Sequence, residues 1–423
     1  MIIGTIEVKR KEDYMDLDTA AKICAYTCKG SYSQTYRMSA VLKNRVRPSY
    51  LQQAVNDLRF RFPSFYVSLA NGFFWKKLKR KWNQTVERED EICKPIDVTD
   101  GKPLFRVTYS DFRISLEIFH GVTDGKGAIT FLKALLARYF NLIGIYVPET
   151  DGVLDISQKP KQEELEDSFI ANYKPGTGRL PRYENAAYQY KINEFDSKLN
   201  IYQGRLSVSQ LKEQCKKHNC KIAEYLTAAY IYSLYQNIPV SERSKPIKVQ
   251  VPINLRPYYN SETLRNFSGF VNVGIDPTER EYDFETILFT VREQIRKGTD
   301  LQRIQGFINA NVADAENVVS KYAPSVLKDP VLKLGFKLYG ERQLTSPMSN
   351  IGIVDVPDSM RDQIEYFYSV IGKTHLNTIY STVLTFGDTM AITFSTHDKK
   401  SNVPGIFFDF IRNNGVSVCS NIV

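Results

Sequence analysis

Between Phe112 and Phe140 the hydrophobic period of the chain changes once, and the change dictates a strand running straight into a helix. Phe112, Ile114, Leu116 and Ile118 alternate with Arg113, Ser115 and Glu117, the two-residue period of a half-buried strand. After Gly125 the apolar residues Ala128, Phe131, Leu132, Leu135, Leu136, Tyr139 and Phe140 recur every three or four positions and share one helical face. Only His120-Gly121-Val122-Thr123-Asp124-Gly125 separates the two patterns. A side chain in so short a turn is held by two rigid elements yet can face an opening, as a general base must. A neutral imidazole at His120 can take a proton from a hydroxyl, amine or thiol and pass it to a leaving group. Asp124 can accept backbone or arginine hydrogen bonds and hold the turn, and Gly125 lets backbone or substrate come close. By chance alone, His-x-x-x-Asp-Gly arises in roughly one chain of this size in a hundred.

The remaining pattern is organised around this turn. In the first half, Tyr36 to Leu42 alternates like a strand, and Pro48 opens a helix with the stripe Leu51, Ala54, Val55 and Leu58, ended by Phe62-Pro63. Phe65 to Val67 and Gly72 to Trp75 are expected strands, and Leu104 to Ser110 forms a hairpin with Phe112 to Phe119. The densest basic run, Lys76-Lys77-Leu78-Lys79-Arg80-Lys81, is expected as a solvated edge strand or loop; its functional reading is a phosphate contact through Lys76, Lys77, Lys79 and Arg80. From about Pro148 to Asn193, Pro, Gly, Lys and Glu dominate, which predicts a long crossing linker.

In the second half, helices are expected after Ser207-x-x-Gln210, from Ala223 to Tyr235, from Phe284 to Ile295 and from Val403 to Asn413. Strands are expected at Lys248 to Ile253, Phe267 to Ile275, Met348 to Val354, Phe367 to Ile371, Thr378 to Phe386 and Met390 to Thr396. Lys321 to Leu338, broken by Pro324 and Pro330, reads as short helical pieces, either a lid or ordinary packing. Both halves hold strands, long helices and a hairpin, which fits two similar units side by side.

With 423 residues, 43% hydrophobic and 24% charged, the chain suits two soluble units of about 200 residues each. No apolar run approaches the roughly 20 residues of a membrane span, and the N-terminus lacks the apolar core of a signal peptide, so a cytoplasmic location is expected. Six irregularly spaced cysteines do not make a disulfide framework. Cys215-x-x-His218-x-Cys220 lacks the second ligand pair of a zinc site, and His218, His375 and His397 read as surface or packing residues. The net charge of +9 suits a phosphate-bearing ligand, an anionic surface or nucleic acid, but no nucleic-acid-binding motif accompanies it.

The turn His120 to Gly125, with its strand and Phe131-Leu132, resembles the His-x-x-x-Asp-Gly signature of the CoA-dependent acyltransferase superfamily, which includes chloramphenicol acetyltransferases, condensation domains and alcohol acetyltransferases. Val249-Gln250-Val251-Pro252-Ile253-Asn254-Leu255-Arg256 is similar to the arginine-ended strand of that superfamily, and Met348-Ser349-Asn350-Ile351-Gly352 to the Ser-Asn-Leu-Gly segment of its alcohol acetyltransferase branch. Phe119 stands where condensation domains carry a first histidine, which favours the single-histidine branches.

The resemblance implies an α/β fold, an α+β two-layer sandwich with two chloramphenicol acetyltransferase-like subdomains at 1–150 and 196–423, a linker at 151–195, and an active-site channel between them. It implies His120 as catalytic base, Asp124 as structural partner of Arg256, and an acyl-CoA co-substrate that donates to an alcohol or amine. It requires neither a metal nor a bound cofactor. Ser349 and Asn350 could donate to an oxyanion or fix a turn. The basic run would then meet the phosphates of CoA. A monomer is expected; alternatives are a non-catalytic acyl- or carrier-binding protein and a condensation-type enzyme fed by a carrier protein.

Overall fold

The computed structural model describes residues 13–28, 34–180, 184–317, 321–325, 327–328, 330, 332, 341–372 and 377–422. In chain order the strands are β1 (Tyr14–Asp16), β2 (Thr35–Leu42), β3 (Val67–Ala70), β4 (Lys77–Arg80), β5 (Val86–Arg88), β6 (Phe105–Ser110), β7 (Arg113–Phe119), β8 (Phe195–Ser207), β9 (Ile247–Asn254), β10 (Ser268–Ile275), β11 (Ser346–Ile353), β12 (Ile364–Ile371), β13 (Ile379–Phe386), β14 (Thr389–Asp398) and β15 (Val418–Ile422). The longer helices are α1 (Thr19–Thr27), α2 (Pro48–Asp57), α3 (Gly125–Leu142), α4 (Val208–Lys217), α5 (Ile222–Asn237), α6 (Phe284–Gly298), α7 (Leu301–Glu316) and α8 (Val403–Asn413).

Two mixed sheets carry the two halves. The first runs β12-β2-β7-β6-β5 and the second β10-β9-β11-β13-β14-β8-β15. β12 comes from the second half of the sequence and pairs antiparallel with β2, so the late chain completes the first sheet. In the first core, α3 presents Phe131, which stacks on Phe65 at 4.7 Å and meets Phe62 and Phe105 edge-on. Such ring pairs contribute about 0.5–1.5 kcal/mol each beyond burial. In the second core α5 has no polar face: Tyr225 to Ile231 are all buried, because the helix is covered by α6 and α8 as well as by the sheet.

The basic run is β4, the middle strand of a small sheet β1-β4-β3, rather than an edge. Its alternation explains this: Leu78 is buried while Lys77 and Lys79 stay exposed, and β1 docks on the side that looked open. Gly72 to Trp75 is bent rather than extended. The hairpin turns on Asp111 and Phe112, leaving Phe112 exposed outside the strand it was expected to begin. β8 and α7 were not anticipated. Much of the expected lid, Lys321 to Leu338, and His375 lie outside the described residues.

Among the described residues of 151–195 the chain forms two single-turn helices, Gln162–Leu165 and Ser168–Ala171, and is pinned on both sides. The buried Glu164 carboxylate takes two bonds from Arg61, at 2.5 and 2.7 Å, while its carbonyl accepts from the Leu264 N–H. Asp167 accepts from the Thr19 N–H and hydroxyl at the start of α1. This crossing therefore buttresses both α1 and the 263–267 segment, which carries the Asn266 side chain to His120.

Candidate active site

β7 ends at Phe119, and the chain turns through a Val122 N–H bond to the Phe119 carbonyl. The next residue, His120, is half-buried; its N–H donates to the Gln34 carbonyl and its ring lies 5.1 Å from that of Tyr36 on the neighbouring strand. The Tyr36 hydroxyl reaches past it to the carbonyls of Thr123 and Asp124, both at 3.0 Å, and so ties the turn to β2.

Asp124 is the N-cap of α3. Its Oδ1 accepts from the Lys126 and Gly127 N–H groups at 3.1 and 3.2 Å, a position where a negative charge also meets the positive end of the helix. The same carboxylate receives Arg256 in a two-pronged bond at 2.9 and 3.0 Å and the Phe267 N–H at 2.8 Å. Arg256 spends its other donors on the Asn254 side chain and on the Thr263 and Arg265 carbonyls, so all five are used. Burial pushes the Asp124 carboxyl up, but the Arg256 charge and these hydrogen bonds overcome it and hold the pKa below the ordinary carboxylate range. The pair is therefore a lock between the two halves, 132 residues apart in sequence, with the helix start as its keyway.

Gly125 is not the glycine with least room. A Cβ on it would meet only the tip of Ile351, at 2.9 Å, whereas one on Gly127 would lie 2.0 Å from the Thr123 hydroxyl and 2.3 Å from the Leu264 carbonyl. That hydroxyl and carbonyl are themselves bonded at 2.6 Å, so the 263–267 segment crosses directly over Gly127. Gly127→Ala is accordingly expected to destabilise the fold by about 3 kcal/mol and Gly125→Ala by less than about 1.5, because the first must displace backbone as well as a side chain and the second only a flexible side-chain tip. Urea unfolding of both variants checks the order; equal losses would contradict it.

The 263–267 segment also brings a residue the sequence did not single out. Asn266 Oδ1 lies 3.1 Å from His120 Nδ1, and the Asn266 Nδ2 group donates to Asp18 Oδ2 at 3.1 Å. Asp18 is fully buried and caps α1 through the Ala21 N–H at 2.7 Å. Burial raises its pKa above the usual value, opposed chiefly by the Arg265 guanidinium. The only available signal was a polar residue between Leu264 and Phe267 immediately before a buried strand.

Two parallel strands of the second sheet converge on the start of α3. β9 and β11 pair only at Val249–Ser346 and Gln250–Pro347; beyond that, β9 leads to Arg256 against Asp124, and β11 leads to Ile351 against Gly125. Met348 enters the second core, so Ser349 projects from the opposite face. Asn350 is exposed, and its Oδ1 accepts from the Gly352 N–H at 3.0 Å, fixing a β-bulge in which Gly352 has φ +92°.

The basic residues are largely engaged nearby. Lys76 Nζ donates to the Ala25 carbonyl at the end of α1, Lys77 pairs with Asp16 at 3.4 Å, Lys79 lies over the Tyr14 ring, and Arg80 donates to the Pro63 carbonyl. His218 pairs with Glu285, and His397 bonds to the Asp196 carbonyl while stacking on Phe195. Among the described residues no three metal-ligating side chains cluster, and no helix is long and apolar enough to cross a membrane. A surface cavity of about 410 Å³ lies beside the Arg256 turn, lined by Glu166, Tyr259 and Glu262 among others; His120 does not line it.

No family model matches this chain, and no curated protein does. Among solved structures it is similar to a trichothecene 15-O-acetyltransferase from Fusarium sporotrichioides, at 10% identity and TM-score 0.61 over 94% of this chain and 93% of that one. It is likewise similar to F. graminearum TRI101 complexed with coenzyme A and deoxynivalenol, at 12% identity and TM-score 0.61 over 96% and 99%. The starter condensation domain of rhizomide synthetase, solved as a mutant with C8-CoA and Leu-SNAC, aligns at 12% identity and TM-score 0.61 over 96% and 95%. At such identities the likeness carries the fold: a mixed α/β architecture of two units, as found in CoA-dependent acyltransferases and condensation domains.

Proposed function

We propose that this chain is an acyltransferase that moves an acyl group from a coenzyme A thioester to an alcohol or amine, with His120 as general base. The observation that carries this reading is a half-buried imidazole at the end of β7, tied on its Nδ1 side to Asn266 of the second half. His120 Nε2 takes the proton of the acceptor O–H or N–H as that oxygen or nitrogen attacks the thioester carbonyl. The tetrahedral intermediate then collapses, the C–S bond breaks, and the imidazolium returns its proton to the departing thiolate. No covalent acyl-enzyme is needed, and acyl-CoA is a co-substrate rather than a resident cofactor. Asp124 and Arg256 hold the turn and do not touch the reacting atoms. Ser349, which projects away from the second core, is assigned as a donor to the developing oxyanion, while Asn350 serves the bulge. Lys76 and Arg80 are committed to protein carbonyls, so a contact with the donor's phosphates falls to Lys77 and Lys79, which would exchange their exposed partners Asp16 and Tyr14 for it.

The test is thiol release from acetyl-CoA and longer acyl-CoAs in the presence of a panel of alcohols and amines. Release is expected only when donor and acceptor are both present, with a rise in melting temperature on binding acyl-CoA. No acceptor-dependent release and no stabilisation by any acyl-CoA would sink the assignment. Stabilisation without release would favour a non-catalytic acyl-binding role instead.

A further inference from the structure

Resting on His120 as base, we propose that Asn266 is the positioning residue that makes its Nε2 a base, by fixing the proton on Nδ1, and that Asp18 sets the amide's direction. Asp18 is the fixed point of the arrangement. Its buried carboxyl meets the Ala21 N–H, the Asn266 N–H and side chain, and the Arg265 guanidinium. The Asn266 N–H, which shares Oδ2 with the amide, can only donate, and so can the Arg265 guanidinium 3.6 Å from it, so Oδ2 is the accepting oxygen. A carboxylate acceptor selects the NH₂ end of the Asn266 amide. The carbonyl end must then face His120, where it can only accept, and the Nδ1 atom 3.1 Å away must carry the hydrogen. With the proton on Nδ1, Nε2 holds a bare lone pair.

This matters because a free neutral imidazole prefers the opposite tautomer, with hydrogen on Nε2. Without Asn266 the atom assigned to collect the acceptor's proton would more often be occupied. Asn266 is buried and bonded on both ends, and its Oδ1 spans 146 residues to reach the ring. Its neighbours on either side are held as well: Arg265 by the Asp16 carbonyl and Asp18, and Phe267 by Asp124. The lock at Asp124 and the tautomer at His120 are therefore set by one short segment.

Long-range ¹H–¹⁵N correlation of histidine-labelled protein tests this without any turnover, with His120 assigned by its absence in His120→Ala. The wild type at a pH where the ring is neutral is expected to show a protonated Nδ1 and a bare Nε2. Asn266→Leu, close in volume but without an acceptor, is expected to move the tautomer ratio toward Nε2–H by roughly two- to ten-fold, the worth of one neutral hydrogen bond. Its kcat should fall by a similar factor with KM little changed. If Asn266→Leu fails to fold, the wild-type spectrum decides alone, since Nε2–H there overturns the proposal whatever the variant does. An Nε2–H wild type, or an Asn266→Leu protein with wild-type tautomer, overturns the proposal. Should the predicted tautomer be found in a protein that releases no thiol, the positioning role stands and the acyltransferase reading falls.

Discussion

Replacement of His120 by alanine is expected to lower acceptor-dependent thiol release by about 10²- to 10⁴-fold, the usual contribution of a positioned general base. The loss should appear in kcat, since the ring is assigned to proton transfer and not to uniform binding of the donor. Stability should change little by comparison. The ring is only half-buried, and the interactions that brace the turn pass through Tyr36, Thr123 and Asp124 rather than through the imidazole. Unpairing Asn266 Oδ1 is the main penalty, about 1–3 kcal/mol if no water replaces the ring. Rates from variant and wild type agreeing within a factor of three, in a folded protein, would remove His120 from the chemistry.

The second large effect is on the fold. Truncating either member of the Asp124–Arg256 pair strands a buried charge, and removal of one partner from such a pair costs about 3–5 kcal/mol. Asp124→Ala should cost at least as much as Arg256→Ala, because it also uncaps α3 and releases the Phe267 N–H. The double variant should lose less than the sum of the two, since no charge is left alone. Thiol release should fall in all three as the turn beneath His120 loosens. The pair also has a pH signature. The native Asp124 pKa lies below its unfolded value of about 3.9, so the unfolded chain binds the proton more tightly. The stabilisation is then complete above about pH 4 and is lost as pH falls through the lowered native pKa. Denaturant unfolding between pH 2 and 7 should show Asp124→Asn with a flatter acid limb than wild type. Strict additivity in the double variant, or an unchanged acid limb, would contradict the lock.

The residues that make this lock were unequally visible in the sequence. The switch from alternating to helical spacing located His120, Asp124 and α3 without reference to anything else, because local periodicity records which face each element buries. Arg256 was visible as the end of a strand, but its reach to Asp124 came only with the superfamily resemblance. Asn266 and Asp18 were not visible as a site. Each carries an ordinary local explanation, Asp18 as a helix cap and Asn266 as a polar residue before a strand, and their meeting is a matter of tertiary crossing alone. Gly127 carries no local signal for the same reason: the backbone above it comes from Leu264. In β8, Asp196, Ser197, Lys198 and Asn200 hide the strand's pattern, which becomes regular only where it pairs with β14 and β15. The basic run illustrates the converse, since five cationic residues suggested an edge while a single buried Leu78 sufficed to make β4 central.

If His120 is the base, one imidazole must stand between an acceptor and a thioester. A crystal structure with a non-reactive thioether analogue of acyl-CoA and the acceptor found by thiol release tests it most directly. The acceptor's oxygen or nitrogen is expected at about 2.6–3.2 Å from His120 Nε2, with the donor's carbonyl carbon within reach of that same atom. Both ligands bound with His120 Nε2 remote from the acceptor would contradict it.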